Sequence, residues 1–177
     1  MSELRKATVP EATYFVTLTV VGWIDIFTRK EYSDEIIKNL KFCQQKKNLK
    51  IFEYVIMPSH IHIICRRNRG LLNELLRDFK SYTAKQLLQL IRDNPQESRK
   101  EWLDYMFQFF ANRYAQNSEY MFWQKTNHPI ELYSNRIIQQ KIDYIHQNPV
   151  AAGIVTEPYY YLYSSACADS PLKVSNL

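Results

Sequence analysis

Phe52-Glu53-Tyr54-Val55-Ile56-Met57-Pro58-Ser59-His60-Ile61-His62-Ile63-Ile64-Cys65 is the run that decides how this chain folds. Two apolar stretches, residues 51–56 and 60–65, flank a short break at Met57-Pro58-Ser59, and each reads as a strand. Side chains alternate faces along a strand, so His60 and His62 point one way while Ile61 and Ile63 point into the core. At two residues' separation their Cα atoms stand about 6.6 Å apart. Two imidazoles so placed can converge on one cation, with metal–nitrogen bonds of about 2.1 Å. The plainer alternative is a half-buried strand whose histidines are only its polar face.

Upstream of this pair, Tyr14-Phe15-Val16-Thr17-Leu18-Thr19-Val20-Val21 is β-branched and aromatic throughout and predicts a first strand, ended by Gly22. A turn at Thr28-Arg29-Lys30 leads to a helix over residues 32–47, with Ile36, Ile37, Leu40 and Cys43 at helical spacing and Ser33 placed to cap. Downstream, Arg66-Arg67-Asn68-Arg69-Gly70 is a basic loop, read as a solvated turn or as a phosphate contact. Residues 72–91 form an amphipathic helix with Leu72, Leu75, Leu76, Phe79, Leu87, Leu88 and Ile91 along its buried stripe. Its remaining positions include Arg77, Lys80, Ser81, Thr83 and Lys85, a basic and hydroxyl-rich face suited to a phosphate backbone. Asn94-Pro95 stops it.

A second helical stretch, residues 97–117, carries Trp102, Tyr105, Phe107, Phe109, Phe110 and Tyr114, a stripe read as core. Tyr120-Met121-Phe122-Trp123-Gln124 predicts a last, edge strand, and residues 135–147 a further helix terminated by Pro149 and Gly153. The tail turns small and polar and is expected to fray after Ala168. Strand, helix, strand, strand, helix, strand is the ferredoxin-like order, with one helix inserted before the last strand and another appended. The expectation is one α+β domain over residues 1–177, with a mostly antiparallel sheet and flanking helices.

The bulk properties narrow the function. A chain of 177 residues, 46% hydrophobic and 14% aromatic, is long enough for one sizeable core and is not disordered. Lysine and arginine exceed aspartate and glutamate by 23 to 18, a net charge of +5 that favours a polyanionic partner, nucleic acid first. The scattered Cys43, Cys65 and Cys167 form no C-x-x-C pair, which argues against a cysteine zinc site and for a reducing cytoplasm. No apolar run approaches the ~18 residues of a membrane span and no signal-peptide core follows Arg5-Lys6, so a cytoplasmic protein without a membrane partner is expected.

In Asp143-Tyr144-Ile145-His146-Gln147-Asn148-Pro149-Val150, Tyr144 and Asn148 are four apart and share a helix face. A carboxamide oxygen there could serve as a third, hard ligand beside two imidazoles, and the phenol one turn earlier would stand beside a metal-bound substrate. With 13 tyrosines in the chain, spacing alone does not single out Tyr144.

Met-Pro-Ser-His-Ile-His at 57–62 followed by Tyr-Ile-His-Gln-Asn-Pro-Val-Ala-Ala-Gly-Ile-Val at 144–155 resembles the HUH single-tyrosine transposases. Among them the REP-associated tyrosine transposases, relatives of the smallest insertion-sequence transposases, are most similar. The resemblance runs from Tyr14-Phe15-Val16-Thr17 to Tyr163-Ser164-Ser165-Ala166 and includes Arg77-Asp78-Phe79-Lys80 and Phe122-Trp123-Gln124. It departs at Ser59, where the family commonly has asparagine.

The resemblance implies a metal-dependent enzyme that nicks and rejoins single-stranded DNA, often beside an imperfect hairpin. His60 and His62 would hold a divalent cation, Mg2+ or Mn2+, with Asn148 as third polar ligand. Tyr144 would be the nucleophile that forms a 5′-phosphotyrosine. Lys80, Ser81 and Thr83 would help hold the DNA strand. The insertion-sequence relatives act as dimers and the REP-associated branch can act as monomers, which leaves a homodimer open. The alternative is a catalytically silent nucleic-acid-binding domain descended from a transposase.

Overall fold

The computed structural model describes residues 7–114 and 118–177. Strand β1 (Tyr14–Thr19) is followed by two short 3-10 turns and helix α1 (Lys30–Lys46). Then come the hairpin β2 (Leu49–Met57) and β3 (His60–Arg67), helix α2 (Leu72–Asp93) and helix α3 (Lys100–Arg113). A short strand β4 (Ile130–Glu131) and helix α4 (Asn135–Ala151) complete the architecture. The sheet order is β2-β3-β1-β4 with every pair antiparallel, which is the ferredoxin-like arrangement. The chain is α+β, as its sequence predicts.

The hairpin turns on Pro58-Ser59 alone, because Met57 already faces His60 in register. Proline presets the turn's first dihedral, and the turn's two carbonyls accept from Phe27 N and Val20 N. Alternation along β3 sends Ile61, Ile63 and Cys65 to the larger core, which α1 and α2 cover with Tyr32, Ile36, Leu40, Leu75, Phe79 and Leu87. The other face carries Phe15, Phe52, Val55, Met57 and Ile64 and is covered by α4 through Ile145. His60 and His62 belong to this second face. A bulge between Ile51 and Glu53 sets Phe52 and Glu53 together against Ile64, which turns the Glu53 carboxylate toward α4.

Five expectations are corrected. Helix α1 begins at Lys30, so Ser33 lies inside its first turn, where its hydroxyl donates to Phe27 O instead of capping. Residues 120–124 form no strand of their own. They meet the end of β1 at an isolated bridge, Val20 to Trp123, flanked by a bond from Gln124 N to Thr19 O, and the edge strand is Ile130–Glu131, opposite Tyr14 and Phe15. The Lys80 ammonium accounts for the break, because it draws the carbonyls of Gln124 and Lys125 away from the ladder.

Pro149 sits within α4 rather than ending it. Its φ suits a helix and only one ladder bond is lost, while Pro149 and Ile145 both lie buried. Gly153, at φ +70, follows the helix end. The segment beyond Ala168 is held: Leu172 is buried, and Ser175 N donates to Ile51 O. Helix α3 buries only Leu103, Phe107 and Ala111, leaving Trp102, Tyr105, Phe109 and Tyr114 exposed, since it packs at the rim along a single stripe. The 115–117 end of the predicted stretch lies outside the described residues.

Candidate active site

The two histidines meet on the α4 face of the sheet. Their ring centroids are 4.7 Å apart at an interplanar angle of 72°. His62 stands opposite Thr17 in the β1–β3 register, and Thr17 Oγ1 lies 2.9 Å from His62 Nδ1. Ser59 Oγ lies 3.1 Å from His60 Nδ1. A hydroxyl therefore occupies Nδ1 of each ring. In the tautomer with the proton on Nδ1, Nε2 keeps its lone pair, which is how a metal-binding imidazole is usually oriented.

His62 Nε2 is buried and has no hydrogen-bond partner. An orphaned buried nitrogen is costly unless something else satisfies it. Burial, then His60, then the Lys141 ammonium push His62 down to about 3, and burial lowers His60 as well. At neutral pH both rings are neutral and able to donate lone pairs. Trp23 packs edge-on against His60 at 5.3 Å, and Phe15 stacks on His62 at 5.3 Å.

Helix α4 lays Tyr144 across the same pair. Its ring centroid is 5.1 Å from that of His62 and 5.9 Å from that of Phe15, both edge-on, and the residue is 47% exposed. The phenol therefore stands at the mouth of the site, not sealed in the interior. Ile145, next in the helix, is fully buried against the sheet and fixes the helix's rotation. On the far flank His146 Nε2 lies 2.8 Å from Glu53 Oε2, and the Ser165 hydroxyl donates to the same oxygen, so α4 is tied to β2. Asn148 is half-buried one turn after Tyr144 on α4.

The donor set fits a cation with open positions. Among the described residues no group of three or more His, Cys, Asp or Glu could hold a metal. Two imidazoles whose Nε2 atoms make no hydrogen bond nevertheless form a sparse pair that leaves room for oxygen ligands from water or substrate. Sequence reasoning missed Thr17, Ser59, Phe15 and Trp23 as the residues that orient the pair. Only Thr17 had a readable signal, a hydroxyl in β1 on the strand face opposite the valine and leucine of the core.

The sequence-predicted DNA contacts divide. Helix α2 covers the sheet face opposite the histidines, so none of its side chains packs with Tyr144. Arg77, Ser81 and Lys85 are exposed on its outer side, Arg77 beside Asp78. Thr83 is fully buried: its hydroxyl donates to Phe79 O and accepts from Trp123 Nε1, so it cannot meet DNA. Lys80 donates to Gln124 O, Lys125 O and Asn127 Oδ1, and burial pushes it down to about 8. Its task is to hold this segment, whose Asn127 O accepts from Thr17 N. Arg66 lies over the Phe52 ring at 5.6 Å, and Arg67 donates to Leu71 O and faces Glu74. No helix among the described residues is long and apolar enough to cross a membrane.

Comparison with known proteins agrees with this architecture. The profile of the family described as "Transposase IS200 like" matches residues 9–148, and the chain belongs to that family. A solved structure of a REP-associated tyrosine transposase bound to a REP hairpin is similar in fold, with a TM-score of 0.60 at 18% identity over 93% of this chain and 82% of the other. A putative transposase from Deinococcus radiodurans R1 aligns at a TM-score of 0.46 and 13% identity over 82% of this chain and 95% of the other. No functionally curated protein matches.

Proposed function

We propose that the protein nicks and rejoins single-stranded DNA beside a hairpin, with Tyr144 as the nucleophile. The observation that carries this reading is the Tyr144 ring, half-exposed and 5.1 Å from an imidazole whose buried Nε2 has no partner. Membership of a transposase family supports it, as does a fold shared with a transposase solved on a hairpin. The net charge of +5 suits a phosphate-rich partner.

In this mechanism the Tyr144 hydroxyl attacks the scissile phosphorus as its proton passes to solvent. The phosphorus–O3′ bond breaks, the departing oxygen takes up a proton as a free 3′-hydroxyl, and the 5′-phosphate stays on Tyr144 as an ester. Because the ester conserves the bond energy, attack by another 3′-hydroxyl reverses the step and joins strands. His60, His62 and Asn148 would hold a divalent cation, Mg2+ or Mn2+, which supplies Lewis-acid stabilisation of the phosphate's charge. Thr17 and Ser59, whose hydroxyls can accept from Nδ1, would suit the tautomer that leaves Nε2 its lone pair, and Ile145 with the His146–Glu53 pair fixes the helix that bears the nucleophile.

The test uses a hairpin-bearing single-stranded DNA labelled at one end or the other, incubated with protein and Mn2+ and resolved on a denaturing gel. Label is expected on the protein only from the strand downstream of the nick, and Tyr144→Phe removes it. Binding without transfer across a panel of hairpins points to the silent binding domain instead, and cleavage surviving Tyr144→Phe points to hydrolysis.

A further inference from the structure

Beside the site lies a cation that no acid among the described residues pairs with. Lys141 lies on α4 three residues before Tyr144, with Nζ 4.7 Å from the Phe15 ring centroid and 5.5 Å from that of Tyr144. A lysine on a solvated helix face commonly pairs with a carboxylate three or four positions away. Here those positions are Ile137, Ile138, Tyr144 and Ile145. Among the described residues no Asp or Glu forms an ion pair with Lys141.

Its charge does reach the site, since Phe15 and Tyr144, the two rings it lies beside, are the rings that pack against His62. A second positive charge beside a candidate cation site is unfavourable until an anion arrives, and the aromatic faces of Phe15 and Tyr144 hold the ammonium only weakly. Both facts mark a group waiting for a phosphate. Lysine suits that task as a point charge on a flexible stem, able to move from the rings to an incoming oxygen.

We propose that Lys141 is a catalytic residue that pairs with a non-bridging oxygen of the scissile phosphate. The inference rests on Tyr144 being the nucleophile. Because both side chains rise from adjacent turns of one helix, the phosphate is drawn to the face where Tyr144 attacks, and the ammonium stays beside it in the phosphotyrosine. Stabilising the extra charge at phosphorus by such a group is a recurrent device in phosphoryl transfer. The structural alternative is that the stem only covers Phe15, and Lys141→Met preserves that packing.

Two measurements decide it. The first needs no chemistry. In a Tyr144→Phe background, the affinity for a fluorescein-labelled DNA hairpin with an unpaired arm is followed against salt concentration. Losing one phosphate contact to a single strand lowers the slope of log K against log salt by about 0.7. Lys141→Met is expected to show that decrease, and Lys141→Arg to retain the parental slope. An unchanged slope in Lys141→Met overturns the proposal whether or not the protein nicks DNA.

The second measurement is the single-turnover nicking rate with Mn2+ at saturating DNA. Lys141→Met is expected to lose about 10- to 100-fold, with Lys141→Arg recovering most of it. A rate within twofold of the parent overturns the catalytic role. So does an equal loss in both variants accompanied by a lowered melting temperature. Failure of the wild type to form any adduct counts against Tyr144 as nucleophile, while the salt slope still judges Lys141.

Discussion

Thr83→Val separates a buried anchor from a DNA contact by a single atom. The substitution keeps the branched shape of a fully buried side chain and removes only Oγ1. That oxygen donates to Phe79 O at 2.7 Å and accepts from Trp123 Nε1 at 3.1 Å. Phe79 O loses little, because it remains available to the helix ladder. The Trp123 indole N–H, on a residue 5% exposed, loses its one protein acceptor. Leaving a buried donor unpaired costs about 1–3 kcal/mol, and the added methyl returns part of it through apolar burial, roughly 0.8 kcal/mol.

The net destabilisation therefore reaches about 2 kcal/mol, equivalent to a melting temperature lower by up to about 8 °C in a chain of this length. Urea unfolding monitored by tryptophan fluorescence measures it, and the indole N–H resonance of Trp123 reports the lost bond directly. DNA affinity in the folded variant is expected to match the parent within twofold. Unchanged stability together with weakened DNA binding refutes the reasoning and returns Thr83 to the DNA-facing surface. Thr83→Ser, which keeps the oxygen, is the control, and its tryptophan resonance stays in place.

Three further expectations rest on the same framework. The Glu97 carboxylate is enclosed by Arg29, Arg99 and the Tyr32 hydroxyl, so Glu97→Gln is expected to cost about 1–3 kcal/mol, discounted because both arginines remain partly solvated. Its pKa is held below the ordinary value by the Arg99 backbone N–H and the two guanidinium groups, against the cost of burial. This stability is thus present above the unfolded value of about 4.3 and lost as pH falls through the folded one, and the gap between parent and variant in chemical unfolding closes in acid. Lys80, at about 8 when folded and about 10.4 when unfolded, makes the unfolded chain bind more protons between those values. The stability difference between the parent and Lys80→Met should therefore move in the parent's favour from pH 8 to 10, as chemical unfolding of both proteins over that range measures. Gly22→Ala places a methyl 2.6 Å from the Phe110 ring at φ +62, which is expected to cost about 2 kcal/mol or more by thermal denaturation.

Local pattern carried the sequence reading where neighbours in the chain are neighbours in space. The histidines share a face because strand period fixes it, and Tyr144 and Asn148 share a helix because their spacing does. What was lost depends on contacts distant in sequence. The break in the edge strand follows from the Lys80 ammonium, 44 residues before Gln124. Thr83 looked like part of a hydroxyl-rich face until Trp123 arrived to bond it, 40 residues on. The aromatic residues of α3 suggest core by composition, yet a helix at the rim buries only the single stripe Leu103, Phe107 and Ala111. Pro149 was read as a stop, but burial against the sheet outweighs a missing ladder bond. The helix bearing Lys141 is legible in the sequence, whereas the placement of its ammonium beside Phe15 depends on a strand more than a hundred residues away.

The two sides of the sheet carry unequal loads. The α1–α2 side encloses most of the apolar interior, while the α4 side is a thin seam of Phe15, Phe52, Val55, Met57, Ile64, Leu132 and Ile145. Trimming a side chain in the thick layer jeopardises the whole molecule. Trimming one in the seam changes the height at which Tyr144 rides above the imidazoles. If Tyr144 is the nucleophile proposed above, variants in a mutational scan that stay folded yet fall silent should cluster along this seam, which makes it the adjustable shim beneath α4.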